Sequence, residues 1–307
     1  MRWLAVFSIL NLLSSILCLV HAQVASPLAE WQIALDRQNF SPGCIDGKFG
    51  PQTKQAIMAW QEANGSPVDG TMGPETERTL IGTNTDWFTQ HTVTEDDLKC
   101  LGPVAATWKG KSEQESLPYE TLCELIAERF HTTEQFLRAL NSEVDWANVK
   151  TGQVFSVPNV NLPRASEKAS VVRVKLSRKI VAVYGANDRP IGFFPCSIGK
   201  DKERRPVGTL AVKTFAPNPN FTWDPAVFTE SPESQTITGK LIIPPGPNNP
   251  VGTYWIGLDR TGYGIHGTPK PEEIGKTESH GCFRLANWNV EALAKMVETG
   301  TTVIIEP

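Results

Sequence analysis

The chain repeats itself once, and the repeat dictates how its first third folds. Asp46-Gly47-Lys48-Phe49-Gly50-Pro51-Gln52-Thr53 returns 23 residues later as Asp69-Gly70-Thr71-Met72-Gly73-Pro74-Glu75-Thr76. In each copy Asp-Gly specifies a tight turn, and Gly-Pro ends the extended backbone where a helix begins. Between the copies, Ala56, Ile57, Trp60 and Ala63 make a helical stripe, and Trp31 and Leu35 mark an earlier helix. Two copies this short form one small helical domain over residues 27–82 rather than a solenoid.

A second texture covers residues 112–160. Leu122, Leu125, Ile126 and Phe130 fall on one helical face, with Glu120, Glu124, Glu128 and Arg129 mostly off it. Thr132 or Thr133 is suited to cap a second helix that carries Phe136, Leu137 and Leu140. Gly152 to Pro158 then reads as a short strand. His131 sits at a helix end, where histidines commonly satisfy the last carbonyls, and His91 stands in a polar linker.

After a polar linker over 161–168 the pattern changes to strands. Val172, Val174 and Leu176 alternate with Arg173 and Lys175, and Lys179 to Tyr184 follows across a Ser177-Arg178 loop. Ile191–Ile198, Gly208–Phe215, Thr253–Leu258 and Thr302–Ile305 read as further strands, with one helix over Asn287–Glu298. The expected architecture is multidomain α+β, ending in a mainly-β sandwich or barrel. Residues 217–250 are rich in Pro, Asn and Gly, the composition of a loop walling a cleft, with Phe221 and Trp223 placed to line it.

The densest chemistry lies in His266-Gly267-Thr268-Pro269 and Ser279-His280-Gly281-Cys282-Phe283-Arg284. A thiol attacks as its thiolate, and an imidazole within hydrogen-bonding reach takes its proton and holds the sulfur as an ion pair. Cys282 is the expected nucleophile and His266 its general base. The backbone N–H groups of Cys282, Gly281 and His280 are candidates for an oxyanion hole. The His280 ring suits proton transfer or positioning of the loop. Arg284 offers a planar fork for a substrate carboxylate. Ser279 either binds substrate or caps a turn.

These residues resemble known families. The doubled D-G-x-x-G-P-x-T turn resembles peptidoglycan-binding domain 1, which implies three helices and attachment to the cell wall. The segment "IAERFHTTEQFLRALN…VKTGQVFSVPN" resembles a LysM module, a βααβ unit, which implies glycan binding. Tyr263-Gly264-Ile265-His266-Gly267-Thr268 with Ser279-His280-Gly281-Cys282-Phe283-Arg284-Leu285 resembles the L,D-transpeptidase, or YkuD, catalytic domain over residues 168–307. Pro206-Val207-Gly208-Thr209 and Pro250-Val251-Gly252-Thr253-Tyr254 resemble its recurring segments. That resemblance implies a cysteine thioester formed on a peptidoglycan stem peptide at its diamino acid, with release of D-alanine. It also implies that the Gly267 carbonyl orients His266. Arg284, Ser279, Gly281, Tyr254 and Trp223 are the expected substrate contacts, and no cofactor is implied. Transfer to an amine, hydrolysis by water and a non-catalytic wall-binding role remain separate possibilities at this stage.

Composition sets the compartment. Arg2 followed by the apolar Trp3–Val20 and by Val20-His21-Ala22 reads as a signal peptide cut after Ala22, against the alternative of a retained anchor. The formal charge of −4, or −5 without Arg2, lacks the basic excess of a nucleic-acid binder. Five cysteines would remain, so at least one thiol is unpaired. Cys44, Cys100, Cys123 and Cys196 allow three pairings. A disulfide between Cys282 and Cys196, and a zinc set of His266, His280 and Cys282, are the alternatives to a thiol nucleophile.

Overall fold

The computed structural model describes residues 26–160, 167–199, 205–276 and 281–307. The expected signal segment over 1–22, most of the linker, Ser279 and His280 lie outside the described residues. Among the described residues no helix is long and apolar enough to cross a membrane.

The repeat builds helices α1 (Pro27–Arg37), α2 (Pro51–Ala63) and α3 (Pro74–Leu80). Each begins with proline, whose missing N–H is no loss in a first turn. The doubled turn has a cause that its own residues do not reveal. The Gln32 side chain accepts from the N–H groups of Asp46 and Gly47 and donates to Asp46 Oδ1, the Lys48 carbonyl and Thr53 Oγ1. Gln61 does the same for the second copy, with Asp69, Gly70, Thr71 and Thr76. Gly47 and Gly70 sit at φ +67° and +70°, where a side chain is strained. Both glutamines are buried and fully used.

The second unit is a two-stranded antiparallel sheet, β1 (Phe88–Thr92) against β2 (Val154–Pro158), with Phe88 opposite Pro158 and Thr92 opposite Val154. Helices α4 (Glu95–Lys99), α5 (Trp108–Ser112), α6 (Leu122–Arg129) and α7 (Glu134–Leu140) lie between these strands. The two expected helices are present as α6 and α7, but the first strand precedes residue 112, and α4 and α5 stand between it and α6. His91 differs from expectation, while His131 does stand at a helix end, its N–H donating to the Glu128 carbonyl. His91 lies in β1, its Nε2 3.0 Å from Asp97 Oδ2. His131 adopts φ +56°, pairs through Nδ1 with Asp36 Oδ2 at 2.8 Å and stacks on Trp288. Thr133 caps α7 by accepting from the Phe136 N–H.

The C-terminal unit is one mixed eight-stranded sheet in the order β11-β10-β9-β6-β12-β3-β4-β5. Its strands are β3 (Val171–Lys175), β4 (Ile180–Tyr184), β5 (Pro190–Pro195), β6 (Gly208–Pro217), β9 (Tyr254–Leu258), β10 (Gly264–His266), β11 (Phe283–Arg284) and β12 (Thr302–Glu306). The β3–β4 hairpin lacks glycine, and Lys179 takes the left-handed conformation in its place. Helix α8 (Asn287–Met296) buries Val290, Leu293 and Met296 into a core with Val172, Phe194, Ile256, Phe283 and Val303. The sheet curls until its two edges meet. Ser197, just past β5, exchanges both backbone hydrogen bonds with Arg284 of β11. One bridge thus closes the sheet in the manner of a barrel.

The three units share surfaces rather than hanging on linkers. Phe40 bridges to Phe193 on the outer edge of β5, with Ser41 N–H donating to the Phe193 carbonyl and Phe193 N–H to that of Asn39. An otherwise open sheet edge is thereby covered. A short hairpin, β7 (Phe221–Trp223) with β8 (Leu241–Ile243), packs against α5 of the second unit. Glu233 accepts from the N–H groups of Trp108 and Lys109 at the start of that helix.

Candidate active site

The site lies at the seam where the sheet closes. Strands β10 and β11 run parallel, with Ile265 opposite Phe283 and His266 opposite Arg284. Paired residues in register direct their side chains to the same face, so His266 and Arg284 share one side. Cys282 precedes Arg284 by two residues, at the mouth of β11. Its Sγ lies 3.4 Å from the Gly262 carbonyl oxygen and accepts from the Gly264 N–H. Two segments far apart in sequence, 262–268 and 281–285, are thus stitched together, and Leu285 N–H donates to the His266 carbonyl at 2.8 Å.

His266 is buried, 5 % exposed, and stacks on Trp255 with ring centroids 5.4 Å apart. Its Nδ1 lies 2.7 Å from the Gly267 carbonyl oxygen. A carbonyl only accepts, so Nδ1 carries the proton and Nε2 keeps the lone pair. Burial pulls the imidazole down to about 4; the Gly267 and Val251 backbones oppose this, and the Arg284 charge adds to it. Burial pushes the Cys282 thiol up to about 11, against the Gly264 N–H and Arg284, which both favour the thiolate. Burial thus acts against both the thiolate and the imidazolium, while the local dipoles favour them.

Arg284 loses solvation too, which lowers its basicity, while Glu273 and Cys282 favour its charged form. Gly281 adopts φ +149°, open only to glycine, and a Cβ on Gly199 would lie 2.9 Å from Gly281 Cα. The two glycines are both buried, and their lack of a Cβ lets the backbone after β5 pack directly on the backbone beside Cys282.

Asn287, the first residue of α8, is the part of the site that sequence reasoning missed. Its Oδ1 accepts from the N–H groups of Thr253 at 3.2 Å and Thr268 at 3.0 Å. A Cβ on Gly267 would approach Oδ1 to 2.1 Å, and one on Gly252 to 2.0 Å. The glycines of the Val-Gly-Thr and His-Gly-Thr segments are thus dictated by one amide that pins both loops. A buried polar residue at a helix start leaves no periodic trace; its only signal was an Asn just past the cysteine segment.

The remaining expected site residues divide. Tyr254 is half-buried at the start of β9, and its carbonyl accepts from the Gly267 N–H. Trp223 is a correction. It is 0 % exposed, stacked on Trp108 and packed with Leu117 and Ile243, so it supports the hairpin from within instead of facing a cleft. The aromatic loop buries its indole because α5 offers an apolar partner. Cys44, Cys100, Cys123, Cys196 and Cys282 are all unbridged, including the pair considered between Cys196 and Cys282. Among the described residues no group of three His, Cys, Asp or Glu gathers that could hold a metal ion. A cavity of about 460 Å³ lies where the three units meet, bordered by Gln52, Cys44, Lys179 and Glu272 and not by Cys282 or His266.

Comparison with known proteins follows the same division. Residues 169–305 match the L,D-transpeptidase catalytic domain family, and residues 25–80 match a family described as "Putative peptidoglycan binding domain". The "Putative L,D-transpeptidase YkuD" of Bacillus licheniformis is 32% identical over 190 residues, which cover 62% of this chain and 96% of that protein. The "Probable L,D-transpeptidase ErfK/SrfK" of Escherichia coli is 33% identical over 161 residues, 51% of this chain and 50% of that protein. Among solved structures, an L,D-transpeptidase from Mycobacterium smegmatis aligns with TM-score 0.36 and 17% identity over 54% of this chain and 81% of that one, a likeness on which nothing is built. With one relative matched over nearly its whole length and the catalytic family matched across the closed sheet, the chain belongs to the L,D-transpeptidase (YkuD) family.

Proposed function

We propose that this protein is an exported L,D-transpeptidase that acts on peptidoglycan stem peptides through a thioester on Cys282. The observation that carries this reading is the parallel register of β10 and β11, which gathers His266, Arg284 and the mouth of the Cys282 loop on one seam. In the proposed reaction, the Cys282 sulfur attacks the carbonyl of the diamino acid as its proton passes to His266 Nε2. The C–S bond forms, the amide C–N bond breaks, and the imidazolium returns that proton to the departing D-alanine amine. An acceptor amine then attacks the thioester and releases the sulfur. With burial acting against both the thiolate and the imidazolium, proton transfer is assigned to accompany attack rather than precede it.

Arg284 is assigned to a substrate carboxylate, and the N–H groups of Gly281 and Cys282, with that of His280, to the developing oxyanion. Trp223 is not retained as a contact. Ser279, Tyr254 and the His280 ring keep supporting roles in substrate binding and loop placement. Residues 27–82 and the unit bounded by β1 and β2 are assigned to attachment on the wall, the latter as a LysM-like module. Residues 1–22 direct export to the envelope.

The test is incubation of the mature protein with purified disaccharide-tetrapeptide, followed by mass analysis. Crosslinked dimers support the reading. Loss of alanine alone makes water the acceptor, and untouched substrate rejects both.

A further inference from the structure

The second unit reaches into the active site. Asn287 Nδ2 donates to both carboxylate oxygens of Glu128 on α6, each at 3.0 Å. Tyr119 Oη donates to Glu128 Oε1 at 2.7 Å. The same Asn287 presents Oδ1 to the Thr253 and Thr268 N–H groups, the latter on the very peptide whose Gly267 carbonyl orients His266. A chain of hydrogen bonds therefore runs from Tyr119 through Glu128 and Asn287 to the backbone of the His266 loop.

We propose that Glu128 is a positioning residue for the general base: it anchors the Asn287 amide through Nδ2, and so holds the Gly267 carbonyl against His266 Nδ1. An amide has one accepting and one donating end of nearly equal size. With a carboxylate on one side and two N–H donors on the other, one orientation satisfies every group. Without the carboxylate, Nδ2 is left buried and unpaired, and nothing on that side draws the amide into place against the Thr253 and Thr268 N–H groups. The Gly267–Thr268 peptide then loses its side-chain anchor, with the Gly267 N–H bond to Tyr254 left to hold the loop, and the imidazole shifts. A misplacement of about 1 Å in a reacting group slows chemistry by roughly 100-fold. The unit read above as a wall-binding module thus completes the catalytic one. The inference rests on the reading that His266 deprotonates Cys282.

The test compares Glu128→Met, which fills a similar volume without a carboxylate, with Glu128→Gln, whose carbonyl still accepts from Asn287. Alkylation of Cys282 by iodoacetamide at pH 7, followed on its own peptide by mass, reports activation of the sulfur without any peptidoglycan. Glu128→Met is expected to slow Cys282 alkylation and single-turnover acylation about 10- to 100-fold, with the affinity for the donor peptide unchanged. Glu128→Gln is expected to stay within about threefold of the wild type, on the same argument from placement. Thermal midpoints are read alongside. A Glu128→Met protein that reacts like wild type overturns the inference. So does a Glu128→Gln protein as slow as Glu128→Met, or a loss of rate that only follows loss of folding. Normal alkylation with untouched muropeptides instead overturns the transpeptidase reading and leaves this inference standing.

Discussion

Arg284 and Ser197 exchange backbone hydrogen bonds of 3.0 and 2.9 Å, joining the last strand before α8 to the chain just past β5. Cys282, the proposed nucleophile, stands two residues from this closure. The candidate site therefore lies where the sheet meets itself rather than across its face. Substitutions on either side of the seam act on the same few backbone atoms.

Arg284 contributes through shape as well as charge. Arg284→Lys keeps a cation near Cys282 but loses the planar fork. The expected outcome is a fall in kcat/KM of about 10- to 100-fold, carried mostly by KM, from the loss of a charged hydrogen bond worth roughly 1.5–3 kcal/mol. Steady-state kinetics on a defined tetrapeptide donor checks it.

The pH profile follows from two burials. His266 must be neutral to accept a proton, and its imidazole is held down to about 4, so activity is flat through neutral pH and falls only as pH drops toward 4. Titration of the thiolate by its ultraviolet absorbance is expected to show Cys282 ionising near 11, well above an ordinary thiol. A Cys282 that ionises near 6, paired with a protonated His266, contradicts this.

Glu128 makes stability depend on pH in the opposite sense to most carboxylates. Burial raises it to about 7, against the hydrogen bonds from Asn287 and Tyr119, with Glu124 and Glu291 adding to the rise. The folded state therefore binds more protons than the unfolded state between its ordinary value and about 7. Its contribution is fully present below the unfolded value and is lost as pH rises through 7. His266 acts oppositely, since its depressed value makes the unfolded state bind more protons from about 4 to its ordinary value. The difference in Tm between wild type and Glu128→Gln isolates the carboxylate. It is expected to move against the wild type as pH goes from 5 to 8.

Gly267→Ala places a methyl group 2.1 Å from Asn287 Oδ1. Neither the helix start nor the loop can yield without breaking the bonds to Thr253 and Thr268. A stability loss of about 1–3 kcal/mol is expected, with near-complete loss of turnover, measured by denaturant unfolding and by acylation.

Much of this molecule was legible because hydrophobic periodicity marks elements that bury one face. The alternation in Val171–Lys175 and the stripe in Asn287–Met296 each led to the observed element within a few residues. Strand β1, Phe-Thr-Gln-His-Thr, was missed because it lies in a two-stranded sheet with mostly exposed side chains. The excursion carrying α4 and α5 then displaced the start of the second unit. The cysteine and histidine were legible as a motif, since few other roles need those residue types together. What could not be read is how buried amides act at a distance. Gln32, Gln61 and Asn287 each organise loops remote in sequence, and nothing in their local sequence distinguishes them from solvated residues. Trp223 failed for the complementary reason: its burial depends on Trp108, more than a hundred residues away.

The most direct test of the account is intact-protein mass after mixing with a tetrapeptide donor and quenching within the first turnover. An adduct equal to the donor less D-alanine, mapped to Cys282 and absent in Cys282→Ser, is the expected result. Release of D-alanine with Cys282 unmodified, or turnover undiminished in Cys282→Ser, would contradict it.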